Sequence, residues 1–337
     1  MNIKRIFIFI LALVIFASCL VSCKKNAGDS VESETAPKKM CTVKFDTRCE
    51  TVIEQRSILQ GEKIGEPDVP RNEGFIFGGW RNEANNVKWN FAFNKVEEDM
   101  TLYAEWISPE SVFKYSELSD GTVEITGVKM DVSYLTIPTE IGGYTVTKIA
   151  DEAFVMSSSE TYREITIPAS VTVIGDRAFA DCMDIEIKVE GALKSVGEWA
   201  FQNCTGLKNV TFDENVELIA PEAFKGSGLT FVYIPETVDY IEETAFAGCA
   251  YLRQVMFHAE KISILDGAFR DSAVKAIYIY GIEEQVDDLF EERIEEKYND
   301  CILDAAVYIY SEAEPDSETA YDGYWYFDGK GQIRIWS

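Results

Sequence analysis

Six copies of an Ala-Phe pair recur through the second half of the chain, and their spacing leaves few architectures open. The phenylalanines are Phe154, Phe179, Phe201, Phe224, Phe246 and Phe269, separated by 25, 22, 23, 22 and 23 residues. Five residues before each stands Ile149, Ile174, Val196, Ile219, Ile241 or Ile264. Three residues after each comes a small residue, Ser157, Cys182, Cys204, Ser227, Cys249 or Ser272. A short alternating run then follows: Ile165–Ile167, Ile187–Val189, Val210–Phe212, Val232–Ile234, Val255–Phe257 and Ile277–Ile279, with Leu135–Ile137 as a seventh ahead of the first pair. Alternation over this length predicts a strand. A unit this short cannot bury its apolar face until a neighbour stacks on it, so the period predicts a solenoid.

These residues resemble the BspA-like, Treponema-type class of bacterial leucine-rich repeats, over roughly residues 113–337. That class joins a strand ending in Ile-Pro to an Ile-Gly-x-x-Ala-Phe turn and a small residue or Cys. The resemblance implies a mostly β fold and a surface protein that binds other macromolecules.

The chain begins with Lys4 and Arg5 and an apolar run from Ile6 to Ala17. This run is shorter than the roughly 20 residues that span a bilayer, which favours a cleaved signal over an uncleaved membrane helix. Leu20-Val21-Ser22-Cys23 is similar to a bacterial lipobox. It implies a lipoprotein signal peptide over 1–22, removed before Cys23, and lipidation of the Cys23 thiol. Cys19 matches less well. Residues 23–40 contain Gly, Ser, Thr, Pro and many charges with few large apolar residues, and read as a tether.

Residues 41–107 read as a separate module. Val43–Phe45 and Val52-Ile53 are expected strands; Gly74-Phe75-Ile76-Phe77-Gly78-Gly79-Trp80 and Thr101-Leu102-Tyr103-Ala104-Glu105-Trp106 follow. This run resembles the Listeria–Bacteroides repeat, also called the internalin B-type repeat, except that Cys49 stands where Gly is frequent. The resemblance implies a small β-grasp-like domain. Trp80, Trp89, Tyr103 and Trp106 are read as core, because a module of this size needs large side chains to build one; a sugar platform is the competing reading.

Residues 108–337 form the repeat domain with its caps. Phe113–Tyr115 and Thr122–Ile125 predict a hairpin over its start. At its end, Val286, Leu289, Phe290 and Ile294 have helical spacing and predict a short helix within 286–297, Val307–Ile309 reads as one more strand, and Tyr324–Trp336 predicts a hairpin about Asp328-Gly329.

Catalytic chemistry has little to stand on. His258 is the only histidine. The repeat cysteines share one structural position and lack metal-site spacing, so they read as a buried column, with a Cys182–Cys204 or Cys41–Cys49 disulfide left open. Glu291, Glu292, Glu295 and Glu296 read as a solvated helix face rather than a cation site. The expectation is no enzyme, no metal and no cofactor. With 31 Lys and Arg against 58 Asp and Glu, the net charge of -27 argues against nucleic acid as a partner.

In leucine-rich repeats the short strands form a concave sheet whose alternate side chains face outward. One outward column reads Thr136, Thr166, Lys188, Thr211, Tyr233, Met256, Tyr278; the next reads Pro138, Pro168, Glu190, Asp213, Pro235, His258, Tyr280. Both turn from small and polar to aromatic. Phe231, Tyr233, Met256, His258, Tyr278 and Tyr280 are therefore the candidate partner-binding residues. The competing reading is that the C-terminal cap covers them. The expected protein is a secreted lipoprotein held to the membrane at the bacterial surface or outer membrane. Its expected partners are host extracellular-matrix or cell-surface proteins, or surface proteins of other bacteria. A structural envelope protein, or a carbohydrate-active enzyme using a carboxylate pair, are the alternatives.

Overall fold

In the computed structural model the six repeat phenylalanines form one continuous stack. Successive rings lie 4.9, 5.3, 5.6, 5.3 and 5.2 Å apart, with planes within 12° of parallel. All six are buried. The described residues are 38–130, 132–155, 162–258, 260, 262–294, 299–312, 315, 321–328 and 330–336. Cys23, the signal and most of the tether, Ser157, Glu295, Glu296 and Gly329 fall outside them.

The turn before each ring needs a left-handed residue. Glu152, Arg177, Trp199, Glu222 and Thr244 adopt φ of 55, 54, 53, 54 and 57°, and Gly267 takes the same place at 63°. Such a residue is unfavourable in isolation. Here each turn is fixed by the next: the Phe N–H donates to the Ala carbonyl one repeat on, at 2.8 Å for Phe154 to Ala178 through 2.7 Å for Phe246 to Ala268. The small residues form a second column. Cys182, Cys204 and Cys249 donate Sγ to the carbonyls of Phe154, Phe179 and Phe224, at 3.6, 3.0 and 3.1 Å. All six described cysteines are free thiols, Cys41 and Cys49 included.

The molecule is mostly β. The first module is a four-stranded sheet of β1 (Met40–Asp46), β2 (Arg56–Leu59), β3 (Ile76–Asn82) and β4 (Met100–Ile107), ordered β2-β1-β4-β3 with β1 and β4 parallel. Val52-Ile53 is not a strand: the Thr47 hydroxyl bonds the carbonyls of Cys49 and Thr51, holding that stretch in a loop, and pairing starts at Arg56. Trp80 is buried in this module's core; Trp89 and Trp106 pack against it half-buried, and Tyr103 is also half-buried.

A short helix α1 (Pro109–Val112) leads into the expected hairpin, β5 (Phe113–Glu117) with β6 (Val123–Val128). Two sets of parallel strands follow. One holds β7 (Tyr134–Thr136), β10 (Glu164–Ile167), β12 (Glu186–Val189), β13 (Ala192–Leu193), β15 (Thr211–Phe212), β17 (Phe231–Tyr233), β19 (Gln254–His258), β21 (Ala276–Tyr280) and β22 (Ala306–Tyr310). The other holds β9 (Tyr144–Ile149), edged by β8 (Glu140–Ile141), then β11 (Val173–Ile174) and β14 (Ser195–Val196), and separately β16 (Leu218–Ile219), β18 (Tyr240–Ile241) and β20 (Ser263–Ile264).

The first set is not one uninterrupted strip. It divides into β7-β10-β12, β13-β15, and a six-stranded sheet from β17 onward. At the division the register slips, and Thr211 lies opposite Ala192 instead of Lys188. The two strand runs involved are those that lead into Glu190 and Asp213, where three other repeats have Pro138, Pro168 and Pro235.

The C-terminal cap is more elaborate than one helix. Helix α2 (Glu283–Asp288) continues as a π-helical turn, Leu289–Arg293, and ends where Ile294 bridges Ile264. Val286, Leu289 and Ile294 are buried. Helix α3 (Asp300–Leu303) follows. Just before it, the buried Asn299 stands in for a missing repeat: its Oδ1 accepts from the Phe269 N–H at 3.1 Å, and its Nδ2 donates to the Leu265 carbonyl at 2.8 Å. Cys301 takes the next place in the thiol column and donates to the Phe269 carbonyl at 2.9 Å. Strands β23 (Gly323–Phe327) and β24 (Ile333–Ile335) form the expected hairpin, and β23 joins β22 in parallel.

Candidate partner-binding surface

Alternation along β17, β19 and β21 sends Val232, Ile234, Val255 and Ile277 into the core, where they are fully buried. Their neighbours face the other way. Tyr233 lies opposite Met256, Met256 opposite Tyr278, and His258 opposite Tyr280. The structure thus brings all six sequence-selected residues onto one sheet.

It also extends their columns. Tyr278 is opposite Tyr308, whose ring stacks on it at 5.6 Å, and Tyr310 is opposite Trp325. Tyr308 and Tyr310 could have been found by carrying the strand parity one run further. Trp325 could not, because nothing local says that β23 docks in parallel on β22. Its ring meets those of Tyr278, Tyr280 and Tyr310 edge-on at 5.7, 4.9 and 4.9 Å, and it is fully buried.

That docking corrects one expectation. Met256 and Tyr278 do not stand free on the surface; they are buried in a cluster with Trp325. Phe231, His258 and Tyr280 are half-buried, and Tyr233 is exposed. A groove of about 610 Å³ remains between the sheet and the hairpin. Phe231, Tyr233, Gln254, Met256, Tyr278 and Tyr280 line it from the sheet, and Phe327, Gly331 and Ile333 from the hairpin.

The polar atoms of the cluster are joined. Tyr233 Oη lies 3.3 Å from His258 Nε2, and Gln254 Nε2 donates to Tyr278 Oη at 3.1 Å. The His258 ring stacks on Tyr280 at 4.5 Å, and its Nδ1 is 3.9 Å from Glu236 Oε2. Burial holds the imidazole pKa below its ordinary value, against the opposing pull of Glu236 and Glu260. Burial pushes Tyr280 up to about 12, with Tyr233 and Tyr310 adding to it. Tyr233 and Tyr278 are also raised, chiefly by burial. At neutral pH the groove therefore presents neutral hydroxyls and ring faces. Among the described residues no group of three or more His, Cys, Asp or Glu is placed to hold a metal ion.

Parallel strands recurring with a fixed turn, a phenylalanine stack and an outward aromatic sheet define a leucine-rich repeat protein. A family model described as the BspA type leucine rich repeat region matches residues 131–253 and 183–294, in six copies. A second, the Listeria–Bacteroides repeat domain, matches residues 42–105. The chain carries BspA-type leucine-rich repeats over residues 131–294 and a Listeria–Bacteroides repeat over residues 42–105.

Among curated proteins, a putative Gly-rich membrane protein of Evansella cellulosilytica is 28% identical over 137 residues, 38% of this chain and 16% of its own length. Internalin H of Listeria monocytogenes is 35% identical over 101 residues, 28% of this chain and 18% of its own. The chain thus spans less than a fifth of the length of either relative. A leucine rich cell surface protein of Faecalibacterium prausnitzii superposes with a TM-score of 0.48 at 21% identity, covering 68% of this chain and 60% of that one. Among the described residues no helix is long and apolar enough to cross a membrane.

Proposed function

We propose that the chain is a bacterial cell-surface lipoprotein, anchored through Cys23, that binds other proteins at the aromatic groove. In this reading residues 1–22 are the signal, 23–40 the tether, 41–107 a β-grasp-like module, and 108–337 a capped leucine-rich repeat solenoid. The parallel β1–β4 pair at the centre of the first sheet supports the module, and the two sets of parallel strands support the solenoid. The names of two relatives from Evansella cellulosilytica, both putative membrane proteins, support a place at the envelope. Two or three acyl chains at Cys23, each buried methylene adding about 0.8 kcal/mol, would make the attachment stable.

The observation that carries the binding reading is the groove, where Tyr233 and Phe327 remain 37% and 42% exposed beside buried aromatic support. Exposed aromatics on a rigid base are what interface anchors require. Partners on this reading are host matrix or cell-surface proteins, or surface proteins of other bacteria.

The test is capture of extracellular-matrix and bacterial surface proteins by residues 24–337. Tyr233→Ala with Phe327→Ala should leave the circular-dichroism spectrum unchanged and weaken capture by about thirtyfold or more, since truncating an anchor costs about 2 kcal/mol. Full capture by that variant would remove the groove as the site. The anchor is tested separately by palmitate labelling, which should be lost in Cys23→Ser.

A further inference from the structure

The groove has no charged side chain in its lining, yet carboxylates stand at one end of it. Glu214 and Glu236 each lie two residues beyond the last core residue of a strand run, Phe212 and Ile234, and both are exposed. Glu236 reaches to 3.9 Å from His258, which is joined to Tyr233 and stacked on Tyr280. Among the described residues neither carboxylate makes an ion pair with a lysine or arginine. Both act on the Tyr233 hydroxyl, so the negative field is felt at the ring itself. The end of the groove is thus an aromatic platform with unneutralised negative charge beside it.

We propose that the groove receives an extended, basic segment of another protein, with a Lys or Arg side chain seated against the exposed Tyr233 ring and facing Glu214 and Glu236. This rests on the reading that the groove is a protein-binding surface, and names the chemistry it selects. A cation is held by an aromatic face within about 6 Å of the ring centre, more strongly where water is partly excluded. The carboxylates supply the counter-charge, and the chain's charge of -27 draws cationic segments toward the molecule. From β17 to β21 there are two inter-strand steps of about 4.8 Å, which accommodates about three extended residues. One basic anchor with a flanking residue on each side fits that length.

The experiment is selection of random displayed peptides on residues 24–337, with counter-selection on the Tyr233→Ala, Phe327→Ala variant so that only groove-dependent binders survive. Survivors should be enriched in Lys or Arg at one position. The best of them, made as a labelled peptide, should lose about tenfold or more in affinity for Glu214→Gln with Glu236→Gln, and lose affinity as salt is raised. It should bind Glu217→Gln with Asp239→Gln as it binds the parent, because that pair removes the same charge elsewhere. Groove-dependent binders that are neutral or acidic, or that ignore Glu214 and Glu236, would overturn this inference and leave the groove standing as a site. Equal losses in both charge variants would also overturn it, by reducing the effect to net charge. Failure to obtain any groove-dependent binder would overturn both readings.

Discussion

His258 reports on its surroundings without interference, because the chain has no other histidine. Burial lowers its pKa in the folded state below the ordinary 6.5, despite Glu236 and Glu260. As the pH falls, the unfolded chain therefore takes up a proton near 6.5 while the folded chain resists it to lower pH. The stabilising contribution is complete above 6.5 and declines from there toward the folded pKa. The imidazole proton resonances should accordingly titrate with a midpoint below 6.5. His258→Gln should flatten the part of the melting-temperature loss that falls in this window. A midpoint at or above 6.5 would mean that the carboxylates outweigh burial. The residues of the groove show how far sequence parity reaches. Alternation assigned Tyr233, Met256 and Tyr278 to one face, and the register agrees. It could not say that Met256 and Tyr278 would be covered, since the covering ring comes from Trp325, far along the chain.

At the scale of the element, the ends matter more than the middle. Each repeat obtains a hydrogen-bond partner from the next, so the last repeat must obtain one from elsewhere, and Asn299 provides it. Asn299→Ala would leave the Phe269 N–H and the Leu265 carbonyl without these partners, at about 1–3 kcal/mol for each buried group. Denaturant unfolding should show a loss of that order, and exchange of the Phe269 amide should accelerate. Asn299→Asp keeps the acceptor and loses the donor, so it should fall between. A loss below the measurement error in Asn299→Ala would show that the cap is held by α2 and its π-helical turn alone. The middle elements were legible because they repeat: six copies set the turn, the buried ring and the strand. Asn299 occurs once, and a single asparagine among acids carries no pattern. The loop at Val52-Ile53 is illegible for a related reason, because a two-residue apolar pair does not fix where pairing begins.

Across the whole molecule, the first module and the repeats keep separate cores that meet at an apolar seam. Ile76, from the module's β3, is buried among residues of the repeat region, and the Phe77 ring lies 6.2 Å from that of Tyr134. Arg163 pairs with Glu66 at 2.7 Å, with its side chain 56% exposed. Apolar burial should dominate this junction. Ile76→Ala is expected to cost about 2–5 kcal/mol, whereas Arg163→Ala should cost about 1 kcal/mol or less. Calorimetry of the two variants checks the order, and a reversed order would mean that the ion pair fixes the junction. The sequence marked the two modules by their separate motifs but gave no sign of this contact, which depends on which face of β3 meets the first repeat. The slip between β12 and β15 has a further consequence. It leaves the groove wholly within the sheet that starts at β17, and the junction with the first module wholly before it. A repeat inserted between them would lengthen the molecule by about 4.8 Å and touch neither end. Reach and recognition are thus independent quantities in this architecture: the distance over which the groove projects changes in whole-repeat increments while its chemistry stays fixed.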